Sequence, residues 1–224
     1  MMSRIQIDHY SDVLCIWAYA SQVRVDELIA DFGDRVSVRF HFFPVFGDVP
    51  GKMAKSWDHR GGLAAYGKHV LSVAEKFEHI RVNENVWLEN TPQSSVPAHL
   101  FLAAAQLLEE AGQLTAGAMQ RYMCALRRAF FVDIRDISRR ETLIAVAEAE
   151  NLPVAALLAA VDDGRAHALI SRNHHQAIEQ GINSSPTLIF NEGRQKLSGN
   201  VGYRIIEANI RELLENPAGQ LSWC

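Results

Sequence analysis

Strand-like rhythm occurs only near the two ends of this 224-residue chain, and everything between reads as helix. A two- or three-strand fragment cannot bury a sheet face by itself, so the ends must meet in one sheet and the helices must cover it. At the first end, Arg4–Tyr10 alternates Ile5, Ile7 and His9 with Gln6 and Asp8, the pattern of a half-buried strand. From Leu14 to about Phe32 the spacing turns helical, with Val23, Leu28 and Ile29 as its apolar line and Gly33 as its stop. Arg35–Phe43 then sets Val36, Val38, Phe40 and Phe42 on one face, and Pro44 ends it. This order predicts a β-α-β unit with parallel strands.

At the other end, Thr187–Phe190 and Arg194–Leu197 flank the turn Asn191-Glu192-Gly193, and Gly202–Leu214 reads as a closing helix with Ile205, Ile206, Ile210, Leu213 and Leu214 apolar. In the middle, helices are predicted over Gly61–His79, over Ala98–Ala111 behind Ser95 and Pro97, and along Met119, Tyr122, Met123, Leu126 and Phe130 behind a Thr115 cap. Ser138 and Glu141 have capping-box spacing, Pro153 restarts the chain into another helix, and Asp163–Gln180 makes one more. The expected organisation is a mixed-sheet α/β domain from residues 1–50 and 182–224, with 51–181 inserted as a helical domain.

The net charge of −4 gives no electrostatic reason to expect nucleic acid or an anionic membrane as partner. The first residues hold no apolar run of secretory type, and Phe101–Leu108 and Val154–Val161 are too short to cross a bilayer, so the cytoplasm is the expected compartment. Cys15, Cys124 and Cys224 are widely spaced and odd in number, which fits neither a disulfide framework nor a zinc site.

Cys15 falls where the first helix should begin. Free amides and the helix dipole there favour an anion, so a thiol should be acidified and nucleophilic; the alternative is a small buried apolar cysteine. Ser184-Ser185-Pro186-Thr187 opens the third strand, where proline suits either a cis turn or a plain trans strand start. Trp17 is either a wall facing substrate or a packing residue of the helix. Cys124 should be core. His167, His174 and His175 share no clean helical face, so no metal site is expected. Arg127-Arg128 and Arg139-Arg140 read as solvated helix faces.

Asp12-Val13-Leu14-Cys15-Ile16-Trp17-Ala18 resembles the Asp-x-x-Cys-Pro-Trp-Cys segment of the DsbA-like thioredoxin-fold family, in particular its FrnE-type branch. Ser185-Pro186-Thr187-Leu188-Ile189-Phe190-Asn191 is similar to that group's Val-Pro-Thr-hydrophobic-Phe-Asn stretch. Ala129-Phe130-Phe131 with Asp136-Ile137-Ser138 is similar to its insertion helices. The resemblance implies a thioredoxin fold with a helical insertion, Cys15 as attacking thiol, Pro186 as cis proline, and Ser185 as the backbone that meets substrate. Ala18 stands where a resolving cysteine would be, so a dithiol cycle is closed to this motif and another thiol must resolve a mixed disulfide. A mobile tail could bring Cys224 to that task. Kappa-class glutathione transferases and 2-hydroxychromene-2-carboxylate isomerases share the architecture with serine at the nucleophile position. Gly199-Asn200-Val201 lies where they hold a glutathione carboxylate, though Val201 departs from their acidic-type residue. The resemblance implies no tightly bound cofactor, glutathione as a co-substrate, a thiol or disulfide as partner, and leaves a homodimer open. Three functions follow: a monothiol oxidoreductase, a glutathione-dependent transferase or isomerase of a small electrophile, or a non-catalytic binding protein.

Overall fold

The computed structural model describes residues 4–215. Strand β1 (Ile5–Ser11) takes the centre of the sheet and is buried at every residue except Gln6, which is half-buried. The expectation of one wet face fails because helices cover both sides. Strand β2 (Val36–Phe42) runs parallel to β1 in register from Ile5↔Val36 to Ser11↔Phe42. Strand β3 (Thr187–Phe190) lies antiparallel on the other side of β1, and β4 (Gln195–Ser198) is antiparallel to β3. Among the described residues the sheet order is β2-β1-β3-β4.

Helix α1 (Ile16–Phe32) crosses between β1 and β2 and stops at Gly33, whose φ of 51° is open to glycine without a Cβ penalty. It packs through Ile16, Ala18, Ala20, Val25, Leu28 and Phe32, while Val23, assigned to the apolar line by spacing, is exposed. Helix α9 (Tyr203–Glu215) buries Ile206, Ile210 and Leu213 against Ile5, Ile7, Leu28 and Phe190; Ile205 faces out.

Between β2 and β3 run α2 (Val49–Ser56), α3 (Gly62–Ala74), α4 (Val96–Glu110), α5 (Ala118–Phe131), α6 (Arg140–Ala149), α7 (Val154–Asp162) and α8 (Arg165–Glu179). The short α2 has no counterpart in the sequence reading. Its start is set by Pro50 in the first turn and by the Asp48 carboxylate, which accepts the Gly51 N–H at 2.9 Å. Two expected caps are replaced. The Glu109 carboxylate, reaching from α4, accepts the Gly117 and Met119 N–H groups at 2.8 and 2.9 Å, so Thr115 is not needed to start α5. Ser138 turns its hydroxyl to Asp136 instead of forming a capping box with Glu141. The largest hydrophobic core runs without a break from α1 and β2 through α3, α4, α5 and α7. No described helix is long and apolar enough to cross a membrane.

Candidate functional site

Cys15 is the N-cap residue of α1 and its side chain is only 6% exposed. Three residues of loop separate it from β1, and one carboxylate shapes that loop. Asp12 is fully buried; its Oδ1 accepts the Leu14 N–H at 2.8 Å, and its Oδ2 accepts the Phe46 N–H and the Ser95 hydroxyl, each at 2.8 Å. The Asp12 carbonyl accepts the Cys15 N–H at 3.1 Å. Beside it, fully buried His99 accepts the Val13 N–H on Nε2 at 3.2 Å and is neutral, because burial first and the Arg127 charge as well outweigh the pull of Asp12.

The β3 entry closes over the sulfur. The Ser185–Pro186 peptide bond is cis. The Cys15 thiol donates to the Ser185 carbonyl at 3.2 Å, and the Ser185 hydroxyl accepts the Asp12 N–H at 2.9 Å. The Pro186 carbonyl accepts the Gly199 N–H at 2.8 Å, which sets Asn200 next to the proline. Asn200 in turn accepts a hydrogen bond from the Arg24 guanidinium. Arg24 lies over the Phe77 ring at 5.9 Å, and Phe77 meets half-buried Trp17 edge-on at 6.2 Å. Trp17 and Arg24 are seven residues apart, two turns, and so share a stripe of α1. Cys15, Trp17, Ser185, Pro186 and Asn200 thus form one connected rim. Asn200 precedes the first residue of α9 by three positions, and its side-chain oxygen is held by the Arg24 guanidinium.

One expectation is reversed. Burial pushes the Cys15 thiol up, and the Asp12 charge adds to that. The Ser185 side chain and the Ala18 and Trp17 amides at the helix start pull it back without overcoming desolvation. In the free chain burial therefore favours the thiol form, with its S–H directed at the Ser185 carbonyl oxygen.

Several neighbours were not singled out from sequence. Tyr66 on α3 is 7% exposed and sits in an aromatic cluster with Phe46, Trp57 and Trp87; burial raises its hydroxyl well above the ordinary range, helped by Cys15 and Asp12. Arg127 is not solvated: it is fully buried, and only Arg128 is exposed. Its neighbours four and three residues away, Met123 and Phe130, belong to the apolar stripe, while Arg128 is turned by about 100°. Cys124 is half-buried, lining a cavity of about 620 Å³ with Asp26, Arg121, Arg128 and Val146, so its place in the core is also corrected. His174 stacks on Phe43 at 6.3 Å. Cys224 lies outside the described residues.

A family model for the DSBA-like thioredoxin domain matches residues 6–211. The chain belongs to the DSBA-like thioredoxin domain family. Several proteins of known structure share the fold over nearly the whole chain at low identity. A candidate protein disulfide isomerase from Nitrosomonas europaea is 19% identical with a TM-score of 0.72, covering 98% of this chain and 100% of its own. The cytosolic disulfide reductase DsbM from Pseudomonas aeruginosa is 16% identical with a TM-score of 0.67, covering 95% and 98%. A 2-hydroxychromene-2-carboxylate isomerase is 18% identical with a TM-score of 0.62, covering 97% and 100%. These likenesses concern the fold. No curated protein sequence matches the chain.

Proposed function

We propose that this DSBA-like protein is a thiol–disulfide oxidoreductase that works through Cys15 alone, exchanging disulfides with glutathione or a protein thiol. The observation that carries this reading is the 3.2 Å contact between the Cys15 sulfur and the Ser185 carbonyl beside cis Pro186, at the start of α1. An extended substrate that takes over the Ser185 backbone removes the acceptor of the S–H proton and leaves the Trp17 and Ala18 amides facing the sulfur, which favours the thiolate. The thiolate attacks one sulfur of a disulfide, forms the Cys15 mixed disulfide and expels the other half as a thiolate. A second thiol then attacks the mixed disulfide, takes the bound half as a new disulfide and returns Cys15 as thiolate. The two steps exchange partners with no net change in oxidation state at Cys15, and no second motif cysteine is needed. Arg24 and Asn200, at the far end of the α1 stripe that begins at Trp17, suit a carboxylate of a small thiol such as glutathione. The neighbouring DsbM has been solved with glutathione.

Glutathione-dependent reduction of a small mixed disulfide tests the reading. Wild-type protein is expected to turn over and Cys15→Ser to lose at least 100-fold, on the order expected when a nucleophile is removed. An unchanged rate in Cys15→Ser rejects it.

A further inference from the structure

A second groove adjoins the reactive rim. Phe77, which meets Trp17 edge-on and has Arg24 over its ring, also walls a cavity of about 630 Å³ built by the end of α3 and the chain that follows it. That segment is tied down along its length. The Phe77 N–H donates to the Ala74 carbonyl at 2.9 Å, His79 Nε2 donates to the Ala20 carbonyl of α1 at 2.8 Å, and the Asn83 N–H donates to the Phe131 carbonyl at 2.8 Å. The floor is apolar: Leu71, Ala74, Phe77 and Val82 pack against the main core and are half-buried. The rim is acidic. Glu75, Glu78 and Glu84 are exposed and line the same cavity, and among the described residues none of their carboxylates accepts a hydrogen bond or joins an ion pair. Arg81 is the cation of the lining. An apolar floor inside a polar rim is the make-up of a recognition surface, and three unpaired carboxylates against one guanidinium set the sign of what it recognises.

We propose that this groove docks the segment flanking the reactive sulfur of a protein partner, an extended stretch that carries an apolar side chain and lysine or arginine. The proposal rests on the single-thiol reading above and adds to it a class of protein substrate. Glutathione has no use for the groove, since it carries net negative charge and no apolar side chain; Arg24 and Asn200 suit its carboxylate instead. A polypeptide can reach further. The way from Cys15 to the groove runs across the Trp17 and Phe77 rings, whose centres are 6.2 Å apart, and an extended chain advances about 3.3 Å per residue. The apolar and basic residues therefore belong within about six positions of the partner's cysteine. The leucine-like side chain would cover the Leu71, Ala74 and Val82 floor, and the cations would meet Glu75, Glu78 and Glu84.

The test compares two short peptides of equal length on full-length protein carrying Cys124→Ala and Cys224→Ala. Each peptide has one cysteine, a leucine and either two lysines or two glutamates, and is activated as its mixed disulfide with thionitrobenzoate. Attack by the Cys15 thiolate on the peptide sulfur forms the Cys15–peptide disulfide and releases coloured thionitrobenzoate, whose appearance gives the rate. The lysine peptide should react about tenfold faster than the glutamate peptide, the yield of a few exposed charge pairs. Changing Glu75, Glu78 and Glu84 together to glutamine should bring that ratio to about one. Glu141, Glu148 and Glu179, exposed on α6 and α8, are changed to glutamine as a control of equal net charge and should leave the ratio in place. A ratio near one in the parent protein, or one lost equally in the control, overturns the proposal. The same peptides with serine for cysteine, followed by fluorescence anisotropy, report docking without exchange. Preference for the lysine peptide there, with no mixed disulfide formed at Cys15, would reject the oxidoreductase reading and keep the groove; exchange at equal rates with both peptides would do the reverse. Self-association of the protein that disappears in the triple variant, with no preference between peptides, would give the groove to a second copy and overturn the proposal.

Discussion

Replacing Asp12 by alanine should cost this protein more than almost any other single change outside the nucleophile. The carboxylate is fully buried and satisfies three donors, the Leu14 and Phe46 amides and the Ser95 hydroxyl, all at 2.8 Å. Truncation leaves two of them, the amides, fixed in the backbone without acceptors, while the serine hydroxyl can rotate. At about 1–3 kcal/mol per orphaned buried donor, the loss is roughly 3–5 kcal/mol, a large share of the stability of a typical domain. Asp12→Asn keeps one acceptor oxygen and turns an NH2 toward the remaining donor, so it should lose less, about 2 kcal/mol. Urea unfolding followed by far-ultraviolet circular dichroism gives both values, and the midpoint should fall in the order wild type, Asn, Ala. Because Phe46 and Ser95 belong to the segments that flank the loop, Cys15 in the alanine variant should also become accessible to a bulky alkylating reagent. A loss below 1 kcal/mol for alanine, or no difference between the two variants, would refute the reasoning that this carboxylate organises the loop.

Other outcomes follow from the buried titratable groups and from one close approach. Burial raises the Cys15 thiol, so its folded state holds the proton more tightly than the unfolded chain; the stability this gives is present below the free-cysteine value of about 8.5 and is lost as pH rises above it. Cys15→Ala should flatten that alkaline limb in thermal melts taken across pH. His9 is lowered to about 3 by desolvation first and then by the Arg127 and His41 charges, so its contribution is full above the unfolded value of about 6.5 and falls away as pH drops toward 3. His9→Phe, which keeps a ring against Phe40, should remove up to roughly 5 kcal/mol of that acid dependence; an unchanged slope between pH 6.5 and 3 would contradict it. A Cβ at Gly67 would stand 2.7 Å from the Val86 carbonyl oxygen, so Gly67→Ala must push α3 off the turn that seats Trp87 and should lower stability by about 1–3 kcal/mol in a calorimetric melt.

The fold was legible because short strand-like stretches at 5–11, 36–42, 187–190 and 195–198 separate cleanly from the helical spacing between them. What spacing missed are contacts that depend on packing between segments. The Glu109 cap on α5 joins residues eight and ten apart across a loop, and α2 is only eight residues long. At the site, the position of Cys15 at a helix start and its alignment with Ser185-Pro186 were readable in the motifs, but the direction of its titration was not. A helix start lowers a thiol and burial raises it, and burial is set by residues as distant as Tyr66 and Ser185. Arg127 was within reach, since three and four residues on either side place it with Phe130 and Met123 on the inner stripe; reading it as a pair with Arg128 concealed that.

The central claim is that Cys15 forms a mixed disulfide that an outside thiol resolves. Its most direct measurement is intact mass with peptide mapping after the full-length protein meets glutathione disulfide. The account predicts a single glutathionyl group on Cys15, removed by excess reduced glutathione and missing in Cys15→Ser. A folded protein that takes glutathione only on Cys124 or Cys224, or on none, would contradict it.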